Sequence, residues 1–222
     1  MGPITYRRSA ADVRAWPADP DARQALQEYL DELEQDPDGE AEGMDGFGLD
    51  FTGADLSGLD LGEAVLIEAR LNGVRLAGAD LDRAQLISAD LRNADLTGCH
   101  LHKAVGRACD ARNAVFARVN LDRAEFERAD LRAADLSGAV FGRAFLRGTD
   151  LRGANLSGCE FGGTPGPAFL GQARIAGATV TGAAGRVTGP ADISDDDTPQ
   201  LIGGDELRDW LASRGAQVEA SA

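Results

Sequence analysis

Apolar residues recur along the middle of this chain with a period of five. Taking Phe51, Leu56, Leu61 and every fifth residue to Phe161 as position i gives 23 consecutive steps, and 21 of them are Leu or Phe. The two exceptions, Gly106 and Ala111, are neighbours in the series. Position i−2 is Ala, Cys, Val or Thr in 21 of the 23 steps, Leu49 and Leu59 being the large residues. A period of five fits neither the 3.6-residue face of a helix nor the two-residue alternation of a strand. Sustained at this length it predicts a solenoid, in which each unit buries its apolar side only against the next coil. Glycines at i+2, such as Gly53, Gly78 and Gly98, mark corners where the backbone takes unusual angles.

The units read Ala54-Asp55-Leu56-Ser57-Gly58, Ala79-Asp80-Leu81-Asp82-Arg83, Ala94-Asp95-Leu96-Thr97-Gly98 and Ala154-Asn155-Leu156-Ser157-Gly158. This resembles the pentapeptide-repeat family, whose signature is A-[D/N]-L-x-x in tandem. The resemblance implies an all-β solenoid, a right-handed quadrilateral β-helix with four pentads per coil, i and i−2 facing inward and the other three positions outward. Coils stacked at about 4.8 Å would make the regular part roughly 27 Å long.

Such a ladder needs caps, and both ends carry helix signals. Asp19-Pro20 reads as a helix start, followed by the stripe Leu26, Tyr29, Leu30 and Leu33 and a stop before Pro37. A second short helix is expected from about Asp205 to Arg214, with Leu207, Trp210 and Leu211 on one side and Gly215 behind it. The chain thus divides into an N-terminal extension with one amphipathic helix (1–45) and the regular repeat (46–163). Irregular final coils follow a Gly/Pro loop (164–193), with the frame displaced by one residue at Leu170, Ile175 and Val180. The last part (194–222) is a C-terminal helical cap or a dimerisation segment. In fluoroquinolone-resistance members of the family such a segment mediates dimerisation, so the resemblance implies either a homodimer through Leu207, Trp210 and Leu211 or an end-cap.

Sorting outward residues by coil gives four sides. The first stacks Asp90, Asp110, Asp130 and Asp150 beside Arg92, Arg112, Arg132 and Arg152, a column of acids next to a column of bases that neutralise each other. The second is small and mildly acidic, with Asp55, Asp95 and Asp135. The third holds both histidines: His100 falls between Asp80 and Asn120, and His102 between Asp82 and Asp122. Imidazole flanked by carboxylates suits zinc or nickel, so His100, His102, Asp82 and Asp122 form a candidate metal site; hydrogen-bonded surface histidines are the plainer alternative. The fourth side is apolar on its outside, with Val65, Ile67, Ile87, Val105 and Phe145. Something should cover it, the N-terminal helix being the nearest candidate and a partner protein the other. Gly106 lies on this side directly below Phe126, whose ring is expected to fill the missing side chain's space.

The net charge of −15 recalibrates these surfaces. Some members of the family bind DNA gyrase by imitating duplex DNA, and the resemblance extends that expectation here to the corner with Asp90, Asp95, Asp110, Asp130, Asp135 and Asp150. The acidity, however, is concentrated outside the rod: residues 1–50 hold 13 acids and 4 bases, against 16 and 14 in residues 51–163. Direct nucleic-acid binding is disfavoured, because no basic patch with interleaved aromatics is present. Cys99, Cys109 and Cys159 all fall in the inward i−2 slot and read as buried small residues. No nucleophile elbow, phosphate-binding loop or inward carboxylate pair occurs, and no apolar run suits a signal peptide or a membrane span. The expectation is a cytoplasmic, non-enzymatic, protein-binding solenoid without a cofactor. One version is a DNA-mimic inhibitor of a type II topoisomerase giving antibiotic resistance or self-protection. The other is a generic scaffold that uses the apolar side or the acidic extension.

Overall fold

The computed structural model describes residues 6–35, 42–162, 166–196 and 198–221; Pro37 and residues 163–165 of the Gly/Pro loop lie outside them. Parallel bridges join each i−1 residue to the one twenty positions on, from Asp45↔Val65 through Val140↔Glu160. Four pentads therefore complete one coil of a β-helix. After Phe161 the offset becomes 24, with Phe145↔Phe169, Asp150↔Arg174 and Asn155↔Thr179, so the loop lengthens one coil without breaking the stack. The ladder also begins one pentad before Phe51: Met44 is buried, and Leu66 and Phe51 fill the space over Gly46.

The backbone hydrogen bonds explain why five residues make a unit. In the pentad around Leu91, the Leu91 amide donates to Asp110 in the next coil and the Asn93 amide to Arg112. The Asp90 amide donates to Ala69 in the previous coil, and the Ala94 amide closes the turn onto Leu91. Four of the five amides are thus satisfied by the backbone itself. The fifth, at i+1, is taken by the side chain at i−1: Arg92 N donates to Asp90 Oδ1 at 3.2 Å, Thr97 N to Asp95 at 3.0 Å, Asp122 N to Asn120 at 3.0 Å and Ser157 N to Asn155 at 3.1 Å. The same bond recurs from Phe47 to Asp45, Ser57 to Asp55 and Ser137 to Asp135. Asp and Asn carry an oxygen well suited to this reach, as in the Asx-turn, and this accounts for their recurrence at 12 of the 23 i−1 positions.

Every corner sits in the left-handed region whether or not glycine occupies it. Fourteen non-glycine residues, including Glu63, Arg83, Lys103, Ala108 and Arg143, have φ between +54° and +66°. Left-handed backbone costs an L-residue about 1–2 kcal/mol, so the stacked coils hold these corners against their own preference. Inside, Ala, Leu and Phe are almost fully buried from Ala54 to Leu156. Polar atoms in the i−2 slot find a carbonyl in the coil before: Cys99 Sγ donates to Leu76 O, Cys159 Sγ to Leu136 O and Thr149 Oγ1 to Phe126 O. At Gly106, a centre without a side chain, a Cβ would lie 2.6 Å from Phe126 Cε1, so the phenyl ring occupies the vacant place.

Both ends are closed. Helix α1 (Pro20–Gln35) starts where Asp19 Oδ1 accepts the Ala22 amide at 2.9 Å, and it buries Ala22, Leu26, Tyr29, Leu30 and Leu33. These join Met44, Phe51 and Leu56 in one continuous core, and Tyr29 donates to Asp60 O at 3.1 Å. The segment before α1 pairs with the open edge of the first coil, the Asp60 amide donating to Arg7 O and the Asp55 amide to Ala15 O. The helix therefore covers the end of the shaft and not the fourth side, a correction to the expectation above; its stripe satisfies first-coil interior residues that otherwise face water.

The C-terminal end is built from short strands: β1 (Glu160–Phe161), β2 (Ala168–Phe169), β3 (Ala173–Arg174), β4 (Ala184–Thr188), β5 (Ala191–Asp192), β6 (Leu201–Ile202) and β7 (Gln217–Ser221). Strand β4 pairs in parallel with β1, β2 and β7, and β6 pairs antiparallel with β5. Helix α2 (Gly204–Ala212) packs against β7 and buries Leu207 and Leu211, with Gly215 at φ +83° turning the chain into the strand. Among the described residues no helix is long and apolar enough to cross a membrane.

Two sets of variants test this packing. Gly106→Leu should clash and Phe126→Leu should leave a void, each lowering unfolding stability by about 1–3 kcal/mol, whereas the double variant rebuilds the regular leucine stack and should recover much of the loss. Strictly additive losses in denaturant titrations would contradict the packing account. At Asp95, replacement by Asn keeps the acceptor and should leave stability nearly unchanged; replacement by Ala should cost about 1 kcal/mol. Equal losses would show that charge, not the amide bond, matters there.

Candidate functional site

The four sides differ in how their charges are held. On the first, each arginine grips the aspartate two residues before it: Arg92 Nη2 lies 2.6 Å from Asp90 Oδ2 and Arg92 Nε 2.7 Å from Oδ1, and the forks of Arg112–Asp110, Arg132–Asp130 and Arg152–Asp150 repeat this. Three of the arginines also reach the aspartate of the next coil, Arg92 Nε to Asp110 Oδ2 at 3.7 Å, Arg112 Nε to Asp130 Oδ2 at 3.6 Å and Arg132 Nε to Asp150 Oδ2 at 3.7 Å. The hydrogen bonds from the arginines hold Asp90 and Asp110 below the usual carboxylate range. At Asp130 and Asp150 burial pushes upward, but the same arginine bonds outweigh it and the carboxyls stay low.

Of the six acids at the corner between the first and second sides, four are therefore neutralised in place. Asp95 and Asp135 make no ion pair among the described residues, though each accepts its own i+1 amide, and Asp135 also accepts from Asn155 Nδ2 at 3.0 Å.

The third side brings the predicted metal-binding residues together and then occupies them. His102 Nδ1 lies 2.7 Å from Asp82 Oδ1, and its Nε2 3.7 Å from Asp122 Oδ2. Asp122 is also forked by Arg143, with Nη2 at 2.7 Å. His100 Nδ1 meets the Tyr6 hydroxyl at 2.5 Å, edge-on to the tyrosine ring, so the N-terminal segment lies over it. Burial, with Asp80 and Asp60 nearby, pushes the Tyr6 phenol up to about 12. Burial likewise raises Asp80. Among the described residues no group of three or more His, Cys, Asp or Glu is placed to hold a metal ion. The candidate ligands are thus engaged with other groups, Asp122 with the Arg143 guanidinium and His100 with the Tyr6 phenol. The cysteines are likewise inert, burial pushing all three thiols up to about 12.

The fourth side carries the largest set of outward apolar residues in the regular coils. Val65, Ile67, Ile87 and Val105 are half-buried, Phe145 is 40% exposed, and Phe47, one coil below Ile67, is 55% exposed. The i−1 column here reads Val65, Gln85, Val105, Glu125 and Phe145, five successive units without the Asp or Asn that captures the i+1 amide. The other sides depart from that rule in shorter runs, such as Arg70 on the first, Arg75 on the second and the consecutive Val140 and Glu160 on the third. Phe145 and Phe169 stack at 4.8 Å near the C-terminal end, and Arg107, held by Glu125 and by Glu127 at 3.2 Å, separates them from the apolar group below. Sequence reasoning missed Phe47, which precedes the regular frame by one unit; the frame extended back to Met44 would have found it. At the C-terminal end Leu207 and Leu211 are buried, while Trp210 is half-buried under the Arg214 guanidinium, 3.7 Å from the ring centre.

The lowered aspartates set a pH dependence. A carboxyl held below its unfolded value of about 4 contributes stability that is fully present above that value and is lost as pH falls through the folded one. Urea midpoints should hold steady from neutral pH to about 5 and drop below about 4, and Arg112→Gln should flatten the drop; a curve unaltered by Arg112→Gln would contradict this assignment.

A family model described as pentapeptide repeats matches the chain in 8 copies, over residues 48–83, 64–102, 107–138 and 129–164. No curated protein matches it. Among solved structures, HetL, a pentapeptide repeat protein involved in heterocyst differentiation regulation from the cyanobacterium Nostoc, is 24% identical, covering 66% of this chain and 77% of its own, with a TM-score of 0.47. Full-length QnrB1, a plasmid-mediated fluoroquinolone resistance protein, is 15% identical over 80% of this chain and 89% of its own, with a TM-score of 0.36. A pentapeptide repeat protein of the Arabidopsis thaliana thylakoid lumen is 26% identical over 50% of this chain and 68% of its own, with a TM-score of 0.22. The repeat matches together span just over half of the 222 residues, across the coils whose 20-residue bridges are described above, and the chain belongs to the pentapeptide-repeat family.

Proposed function

We propose that the protein is a non-enzymatic solenoid that binds another protein through its fourth side. The observation that carries this reading is the apolar outer surface formed by the exposed Phe47 and the half-buried Val65, Ile67, Ile87 and Val105. A filled shaft, buried thiols and occupied histidines give catalysis no foothold, and exposed apolar patches of this kind mark interaction sites. The reading takes the coil to be right-handed, both helical ends to be caps, and the protein to be cytoplasmic and not to dimerise through α2, whose leucines face inward.

A second reading makes the protein a duplex-DNA mimic acting on DNA gyrase, with antibiotic resistance or self-protection as its result. Asp95 and Asp135, free of ion pairs beside the small residues of the second side, favour it; the four forked aspartates weaken it, since an arginine beside each removes the field that a mimic needs. A supercoiling assay with and without a fluoroquinolone separates the two. The scaffold reading predicts neither inhibition nor protection at large molar excess. Inhibition that disappears in Asp95→Asn/Asp135→Asn, which keeps both amide bonds, would install the gyrase reading instead. For the scaffold itself, cross-linking in the native host should capture a protein with the wild type and lose it with Ile87→Asp; equal recovery would remove the fourth side as the binding surface.

A further inference from the structure

We infer that the partner element received by the fourth side is a basic amphipathic helix lying along the rod, its apolar stripe on the Phe47–Ile67–Ile87 column and its cationic end over α1. This rests on the protein-binding reading above and adds the chemistry of what is bound. Three features carry it.

The first is spacing. Outward side chains in one column repeat at the coil separation of about 4.8 Å, and a helix presents one apolar residue per turn of about 5.4 Å. Over three coils the two rulers differ by only about 2 Å. A strand laid the same way repeats on one face at nearly 7 Å and falls out of step at once. Addition of a strand to an edge is also unavailable, because the amides at i−1, i and i+2 on this side are already bonded to neighbouring coils, as at Val65, Leu66 and Glu68.

The second is charge. At the N-terminal end of the patch a groove between α1 and the first coil is lined by Glu28, Glu32, Glu42 and Asp45, beside Tyr29 and Met44. None of these four carboxylates makes an ion pair among the described residues, and neither does Glu68 on the adjoining corner. The bases near the patch are engaged or distant from that end: Arg83 with Glu63 and Asp82, Arg107 with Glu125 and Glu127, and Lys103 beside Val105 at the far edge. An apolar strip that runs into unpaired carboxylates calls for a ligand with apolar residues along its length and arginine or lysine at one end. A second copy of this chain does not fit, because its own net charge is −15 and it would bring like charge to the groove.

The third is the departure from the family's own rule. Five successive units on this side give up the Asp or Asn that captures the i+1 amide, replacing it at three of them with Val65, Val105 and Phe145. No other side of the described coils forgoes this contact over so long a run, which fits a surface shaped for something other than the fold.

The test uses the full chain and a fluorescein-labelled 18-residue-class helical peptide with leucines at i, i+4, i+7 and i+11 and arginines flanking its C-terminal turns, an arrangement of roughly three to five turns. Two controls carry the same leucines with glutamates in place of arginines, and the same composition scrambled. Anisotropy should show saturable binding of the basic peptide. Binding should weaken at least about tenfold for both controls and for Ile67→Asp/Ile87→Asp, the scale of losing one or two buried apolar contacts. Phe47→Ser, at a more exposed position, serves as the variant least able to disturb the fold, with far-UV circular dichroism as the check. Glu28→Gln/Glu32→Gln should weaken binding several-fold and reduce its salt dependence. Equal binding of the acidic or scrambled peptide, or binding unchanged in Ile67→Asp/Ile87→Asp and Phe47→Ser, overturns the inference. Self-association in sedimentation that disappears with Ile87→Asp also overturns it, in favour of a second copy. No peptide binding, with host capture still lost in Ile87→Asp, overturns this partner chemistry while leaving the protein-binding reading in place.

Discussion

The fifth amide of each pentad governs the rest of this molecule. Four of the five find backbone acceptors through coil stacking and the turn, and the remaining one needs an oxygen two residues before it, which Asp or Asn supplies. That requirement accounts for the Asp or Asn at 12 of the 23 i−1 positions, and it accompanies corner residues held in the left-handed region. The cost at fourteen non-glycine corners is met collectively, since no isolated turn would hold Arg83 or Lys103 there.

This changes what the acidic surface means. An aspartate whose Oδ1 is committed to a backbone amide and whose Oδ2 is gripped by arginine, as at Asp90, Asp110, Asp130 and Asp150, is part of the scaffold. The low isoelectric point comes mainly from the extension and the C-terminal part, and the free carboxylates that matter are those around α1. Function is then to be sought where the scaffold rule lapses, on the fourth side, and at its junction with the α1 groove.

Much of this was legible from residue order. The leucines from Leu56 to Leu156, the small residues two before them, the Asp19-Pro20 helix start and the Phe126 ring over Gly106 all follow from repetition and size, which are local quantities. The position of α1 was not, because its stripe fits an apolar side or an open shaft equally well; the deciding fact is that Phe51 and Leu56 of the first coil have no preceding coil to cover them. The β4–β7 pairing was also hidden, since β7 carries only Val218 and Ala220 as apolar signal and owes its place to α2. The register of His100 between Asp80 and Asn120 and of His102 beside Asp82 was legible, whereas the contacts of Tyr6 with His100 and of Arg143 with Asp122 come from residues distant in sequence.

Amide hydrogen exchange resolved by residue addresses the fifth-amide constraint most directly. The i+1 amides of Thr97 and Ser137, each bonded to an aspartate, should exchange at least about tenfold more slowly than those of Ile67 and Ile87, which follow Val65 and Gln85 and have no such acceptor. Exchange at one common rate across these four positions would contradict the account.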